Sequence, residues 1–139
     1  MRGEYKSTLD AKGRMNFPVK LRDELGAVFM ISKTIGAKCI KVYKMDDWNA
    51  LEAKINEMPQ TKTADLRRFL ITSAYDTEPD KQGRALIPAP LREYAELKEN
   101  IVIVGVGERA EIWDKDNWEA LTGGMSEEKL VEVAMELGL

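Results

Sequence analysis

The sequence predicts a mainly β protein of the α+β class: one unit written twice, interdigitated into a closed or nearly closed small barrel with short helices. Three observations predict it. First, the stretch Asp10 to Arg22, D-A-K-G-R-M-N-F-P-V-K-L-R, returns 70 residues later as Asp80 to Arg92, D-K-Q-G-R-A-L-I-P-A-P-L-R. Around it Tyr5 recurs as Tyr75, Ile31 as Ile101, Asp46 as Asp116, Trp48 as Trp118 and Leu51 as Leu121, all read at one shift with no gap. Second, each copy offers only a handful of short strands and little core, and hairpin-rich units of that size rarely stand alone. Third, the segment between the copies is not Gly/Ser-rich, so it is no flexible tether. Two copies fused in this way bury a common core, and closing the sheet removes its edges.

Tyr5 to Leu9, partly β-branched, is the first expected strand. Asp10-Ala11-Lys12-Gly13 is a turn, in which Asp accepts backbone N–H bonds from its own loop and Gly takes the positive-φ position. Arg14 to Phe17 is expected to return beside the first strand as a hairpin. Pro18 ends the ladder because it has no N–H, and it suits the start of a helix. Val19 to Leu25 is that helix, with Gly26 as its stop. Ala27 to Ser32 is an apolar strand, Thr34 to Lys38 a turn around Gly36, and Cys39 to Lys44 an alternating strand. Asp46 is expected to cap a helix from Trp48 towards Met58, with Trp48, Leu51, Ile55 and Met58 on one face. After Pro59, Thr61 to Ser73 is a second helix that joins the copies rigidly. The second copy repeats the plan: a strand near Tyr75, a turn at Asp80 to Gly83, a strand Arg84 to Ile87 and a helix Pro90 to Leu97. Strands Ile101 to Val106 and Ala110 to Trp113 follow, then a helix capped by Asp116 that carries Trp118 and Leu121. Thr122-Gly123-Gly124 breaks it. Ser126 caps a final helix whose first turn is acidic at Glu127 and Glu128, which complements the helix dipole. Leu130, Ala134 and Leu137 form its apolar side, to pad the barrel or to meet another subunit. The expected division is 5–58 for the first repeat, 59–74 for the connecting helix, 75–122 for the second repeat and 123–139 for the C-terminal helix.

A length of 139 residues suits about one domain and supports a core without disulfides or metals. The single cysteine, Cys39, and a polar start (Arg2, Glu4, Lys6) lead us to expect a reducing compartment. No apolar run has the length of a membrane span. The chain has no histidine, which removes His-based triads, His–Zn sites and imidazole acid–base work. The net charge of −3 averages over unequal faces. From Met1 to Arg22 the basic residues Arg2, Lys6, Lys12, Arg14, Lys20 and Arg22 meet only Glu4 and Asp10. In the second copy Lys81, Arg84 and Arg92 are balanced by Asp76, Glu78 and Asp80, and the tail from Glu108 onward is acidic.

The doubled Asp-x-x-Gly-Arg…Pro-x-x-Leu-Arg pattern, with Gly3-Glu4-Tyr5, both tryptophan helices and the acidic tail, resembles the MraZ family of bacterial transcription factors, relatives of the AbrB-type swapped-hairpin DNA-binding proteins. The resemblance covers nearly the whole chain. It implies an AbrB/MraZ-type double swapped-hairpin β-barrel and a ring-shaped homo-oligomer. It also implies a cytoplasmic, nucleoid-associated repressor that binds repeated boxes upstream of the division and cell-wall gene cluster. The family's DNA-contacting motif carries over onto Asp10, Lys12 and Arg14, with Asp80 and Arg84 as the second copy. Asn16 departs from the repeat, being polar where Leu86 is apolar.

Expected partners are therefore double-stranded DNA and further copies of the chain, with no membrane and no small-molecule substrate. No cofactor, metal site or catalytic residue is expected. The site reading centres on Arg14, Lys12 and Asp10, flanked by Lys6, Lys20 and Arg22. Clustered Lys and Arg are the footprint of phosphate contact, and Arg can also fork onto guanine in the major groove. For Asp80, Gly83 and Arg84, with acid around them, an Asp–Arg pair that pins the loop is preferred. The tryptophans are read as packing and Cys39 as a buried strand residue. No carboxylate pair has an apolar setting that would mark an acid/base site, so an enzyme has no positive support. The competing reading is an antitoxin-like interaction module whose acidic C-terminal helix grips a partner.

Overall fold

In a computed structural model describing residues 1–139, eight strands and six helices follow one another in the duplicated order. The first copy gives β1 (Arg2–Thr8), β2 (Arg14–Asn16), α1 (Val19–Leu25), β3 (Phe29–Lys33), β4 (Ile40–Lys44) and α2 (Met45–Glu57). A connecting helix α3 (Gln60–Leu66) runs on into a π-helical turn at Arg67–Ile71. The second copy gives β5 (Tyr75–Thr77), β6 (Arg84–Leu86), α4 (Ala89–Tyr94), β7 (Asn100–Val106), β8 (Ala110–Asp114) and α5 (Lys115–Gly123), and α6 (Glu127–Glu136) ends the chain.

Inside each copy only the last two strands form a hairpin, β3 with β4 and β7 with β8; the first two strands of each copy pair across the copies. The larger sheet has the order β1-β7-β8-β4-β3-β5, all antiparallel, and β2 pairs with β6 in a separate ribbon. The expected hairpin from Tyr5–Leu9 to Arg14–Phe17 is corrected accordingly: those strands share no ladder beyond the Leu9–Met15 bridge, and they are joined besides by the bonds from Asp10 N to Arg14 O and from the Ser7 hydroxyl to Asn16 O. Each first strand crosses to the other copy instead, β1 onto β7 and β5 onto β3. This exchange makes the two copies one body, because neither has a complete sheet without the other.

The pairing also corrects the gapless 70-residue shift. Tyr5 faces Ile103 and Tyr75 faces Ile31; Ile31 faces Val42 and Ile103 faces Ile112. The structural equivalent of Ile31 is therefore Ile103, not Ile101. The second copy has two extra residues before β7 and a hairpin two residues shorter after it, so the shift of 70 is restored by Val42 and Ile112. A two-residue slip is tolerated because it preserves side-chain alternation, whereas a slip of one would turn the core face outward.

Alternate residues from both copies fill the central core: Met15, Phe17, Leu21, Phe29 and Ile31 meet Ala85, Ile87, Leu91, Ile101 and Ile103. Large side chains fully buried in this way contribute about 1.5–3 kcal/mol each. The outer sheet face is covered too. Met30 and Tyr43 pack on Trp48, Ile55 and Leu70, and Val102, Val104 and Trp113 pack with Cys39 and Trp118. Burial on both faces explains the unbroken apolar runs at Phe29–Ile31 and Ile101–Val104.

Smaller differences concern helix ends. Asp46 and Asp116 lie in the first turns of α2 and α5 rather than at their caps, because each helix starts directly off its strand. Lys44 occupies the first cap position, and Asp114 caps the second helix by accepting from Asn117 N. Ser126 caps α6 as expected, through Lys129 N. That helix does not pad the barrel: it buries no residue, and Leu130 and Leu137 are 57% and 71% exposed.

Candidate nucleic-acid interface

Asp10 and Asp80 build two loops of the same geometry. Asp10 Oδ1 accepts from Lys12 N and Arg14 N, both at 2.9 Å, and Asp80 Oδ1 accepts from Gln82 N and Arg84 N at 2.9 and 3.0 Å. Gly13 N donates to Asp10 O and Gly83 N to Asp80 O, with both glycines at φ +80°. Hydrogen bonds donated to a carboxylate favour its charged form. The Arg14 amide holds the Asp10 carboxyl below the usual carboxylate range, and the Arg84 amide does the same for Asp80. Both aspartates thus shape their loops, with one oxygen already engaged by the chain.

The loops open onto opposite ends of the β2–β6 ribbon. Its backbone bonds run past the strand ends, from Phe17 N to Gly83 O and from Ile87 N to Gly13 O. Met15, Phe17, Ala85 and Ile87 point inward and are buried. Arg14, Asn16, Arg84 and Leu86 alternate with them on the outer face. Arg14 pairs with Leu86 and Asn16 with Arg84, so the two arginines are diagonal neighbours. Diagonal side chains on a ribbon stand about 7–8 Å apart at their origins. Asp10 also feels the Arg84 charge, which links the two copies electrostatically.

The arginines differ in how they are held. Arg84 Nε donates to Asp80 Oδ2 at 3.3 Å, forming an ion pair. Arg14 makes no ion pair; Asp10 grips its amide and leaves its guanidinium free. Lys12 is exposed at the first loop tip, as Lys81 is at the second. Lys6 is exposed on β1, beside a cleft of about 600 Å³ that also takes in Asn16 and Lys115. Lys20 is exposed on α1.

Arg22 has a different position from the one its place in sequence suggests. Its Nη1 lies 2.6 Å from where a Cβ on Gly83 would stand, so it reaches across to the second loop. Arg92 makes the reciprocal crossing: its guanidinium lies 2.9 Å from an added Cβ on Gly13, and its Nε donates to Ile87 O at 2.9 Å. Arg92 was absent from the sequence-derived set, although its recurrence from Arg22 was the available signal. Leu86, not Asn16, proves the odd residue: both sit on the outer face, and Leu86 is 54% exposed.

Elsewhere the chemistry is quiet. No cluster of His, Cys, Asp or Glu is arranged to hold a metal ion. Burial pushes the Cys39 thiol up to about 11, and its sulfur contacts Thr34 Oγ1 at 3.2 Å, which leaves it poorly nucleophilic. No helix is long and apolar enough to cross a membrane.

Comparison with known proteins follows the duplication. A family model described as "MraZ protein, putative antitoxin-like" matches residues 1–69 and again residues 70–137. A protein of Acetivibrio thermocellus named "Transcriptional regulator MraZ" is 43% identical over 142 aligned positions, covering 99% of this chain and 98% of its own. A Thermoanaerobacter protein of the same name is 45% identical over 120 positions, covering 84% and 82%. One from Oenococcus oeni is 39% identical over 137 positions, covering 97% and 94%.

Proposed function

The chain belongs to the MraZ family, and from that premise we propose that it is a transcriptional regulator that binds specific double-stranded DNA through the outer face of the β2–β6 ribbon. The observation that carries this reading is the convergence of two duplicated arginine loops on one exposed ribbon, with Arg14 free of any ion pair. The major groove of B-DNA admits a two-stranded β-ribbon, and Arg reads guanine there by a bidentate fork. Two guanidinium groups set diagonally on an open surface repel each other, and a polyanion relieves that repulsion. Arg14 supplies base contact. Lys12, Lys6 and Lys20 meet the phosphate backbone, which fixes register without reading sequence. Asp10 and Asp80 hold the loops, and Arg22 and Arg92 brace them. One ribbon offers few contacts. A ring of copies on repeated promoter boxes gains affinity through effective concentration. Such a ring repressing the division and cell-wall cluster from the cytoplasmic nucleoid is the fullest form of the proposal, and the repeat boundaries at 5–58 and 75–122 belong to it.

The test is a gel shift on the DNA upstream of the chain's own coding region, paired with size-exclusion of each variant. Arg14→Ala abolishes the shift and leaves folding and assembly intact. Arg84→Ala, by freeing Asp80, costs stability or assembly more than DNA contact. Equal loss of binding from both variants refutes the division of labour, and undiminished binding from both refutes the site. The antitoxin-like reading has one observation in its favour, the bare acidic helix α6, and predicts that a second protein is held there while the ribbon stays idle.

A further inference from the structure

We propose that α6 of one chain lays its apolar face into a groove on a second copy, formed by the β3–β4 turn, the end of α3 with the π-helical turn, and Tyr94. The contact rests on the self-assembly part of the reading above and specifies the two surfaces that make it.

Two unsatisfied surfaces carry the inference. The first is α6 itself. It has ten residues and buries none of them. Isolated helices of that length are marginal in water and need a packed face. Val133, Leu137, Leu130 and Ala134 fall on adjacent positions of the wheel, with Val131 flanking them. The larger ones are 52–71% exposed. Glu128, Glu132 and Glu136 follow one another at i, i+4 and i+8 and form an acidic stripe that runs up to the Val133 edge of that face.

The second surface is an open apolar groove of about 680 Å³ lined by Ile35, Ala37, Leu66, Phe69 and Tyr94. Ile35 is 62% exposed at its lip. Two lysines stand over its aromatic floor. Lys38 Nζ is 4.3 Å from the Tyr94 ring centre, and Lys33 Nζ is 5.2 and 5.3 Å from those of Phe69 and Tyr94. Neither lysine has a carboxylate partner. The groove's one acid, Asp65, is already paired with Arg68 at 3.4 Å. A wet apolar groove with unpaired lysines complements a bare apolar helix edged with unpaired glutamates. Because helix and groove are different surfaces, the contact is head-to-tail, and repetition either closes a ring or runs into a filament. The link Gly124–Ser126 leaves α6 off its own chain's groove in this structure.

The full-length chain tests this in two ways. Leu130→Glu with Leu137→Glu alters only exposed positions, so the barrel stays folded, with unchanged tryptophan emission. Light scattering then shows the particle mass falling at least two-fold. Separately, chains carrying Ile35→Cys are mixed with chains carrying Leu137→Cys and oxidised. A disulfide-linked dimer containing one chain of each kind is expected, and the double variant gives a ladder of linked chains. An intramolecular link in the double variant overturns the proposal in favour of closure within one chain. A particle mass unmoved by the two glutamates removes this contact and leaves self-assembly standing. A native chain that is monomeric throughout removes the self-assembly reading as well. Capture of a different protein on α6 by chains that do not cross-link to each other also overturns it.

Discussion

Asp10 and Asp80 lie at the surface, yet both are held below the ordinary range by amides that point at them. The sign of the pH effect follows. A carboxyl whose folded value lies below its unfolded one lends stability that is complete above the unfolded value, about pH 4 for Asp, and lost as pH falls through the lowered folded value. Both loops therefore loosen in acid. Following the two carboxyl carbons by NMR gives midpoints below those of ordinary aspartate; midpoints at or above the ordinary value contradict the loop geometry. The glycines set a second constraint at the same scale. At φ +80° an alanine is strained, and at Gly13 its Cβ also meets the Arg92 guanidinium. Gly13→Ala and Gly83→Ala each cost about 1–2 kcal/mol for the left-handed backbone alone. Urea denaturation reads this as a lower midpoint at unchanged slope.

The two tryptophan helices look alike in sequence and differ as elements. Trp48 is 1% exposed and packs against Tyr43, with ring centres 5.3 Å apart. Trp118 is only half-buried; its indole N–H donates to Glu4 at 2.8 Å and its ring lies 5.8 Å from Trp113. The first copy has α2, of thirteen residues, with Trp48 and Ile55 buried and backed by Leu70 from the π-helical turn, whereas α5 has nine residues and buries none of them. Trp48→Ala accordingly costs about 3–5 kcal/mol. Trp118→Ala costs clearly less, and chemical denaturation of the two variants side by side measures the gap. An equal loss means that the duplicate helices carry equal weight after all.

For the whole molecule the net charge of −3 hides the division that matters. Lys12, Arg14 and Lys81 crown the ribbon, while Glu128, Glu132 and Glu136 ride on the helix at the end of the chain. Binding through phosphates releases counterions, so affinity falls steeply with salt. Removing one phosphate-contacting lysine reduces that slope by about one unit. A salt titration of the native chain and of Lys12→Ala reads the difference. A flat response in the native chain contradicts ribbon-to-phosphate contact. Leu86 on the same face predicts no such change, since it carries no charge.

The duplication, the loop chemistry of Asp10–Gly13 and Asp80–Gly83, the strand Arg14 to Phe17 and the helix stop at Gly26 were all legible in the chain. Each depends on local sterics or a period-two pattern, and those are properties of neighbours in sequence. Strand partnership was not legible. That β1 lies on β7 rather than β2, that Ile31 answers to Ile103, and that Arg22 and Arg92 exchange loops are choices among nearly equal local options. Burying a single core from two interlocked copies is what decides them, because that free energy exists only once the whole sheet has formed.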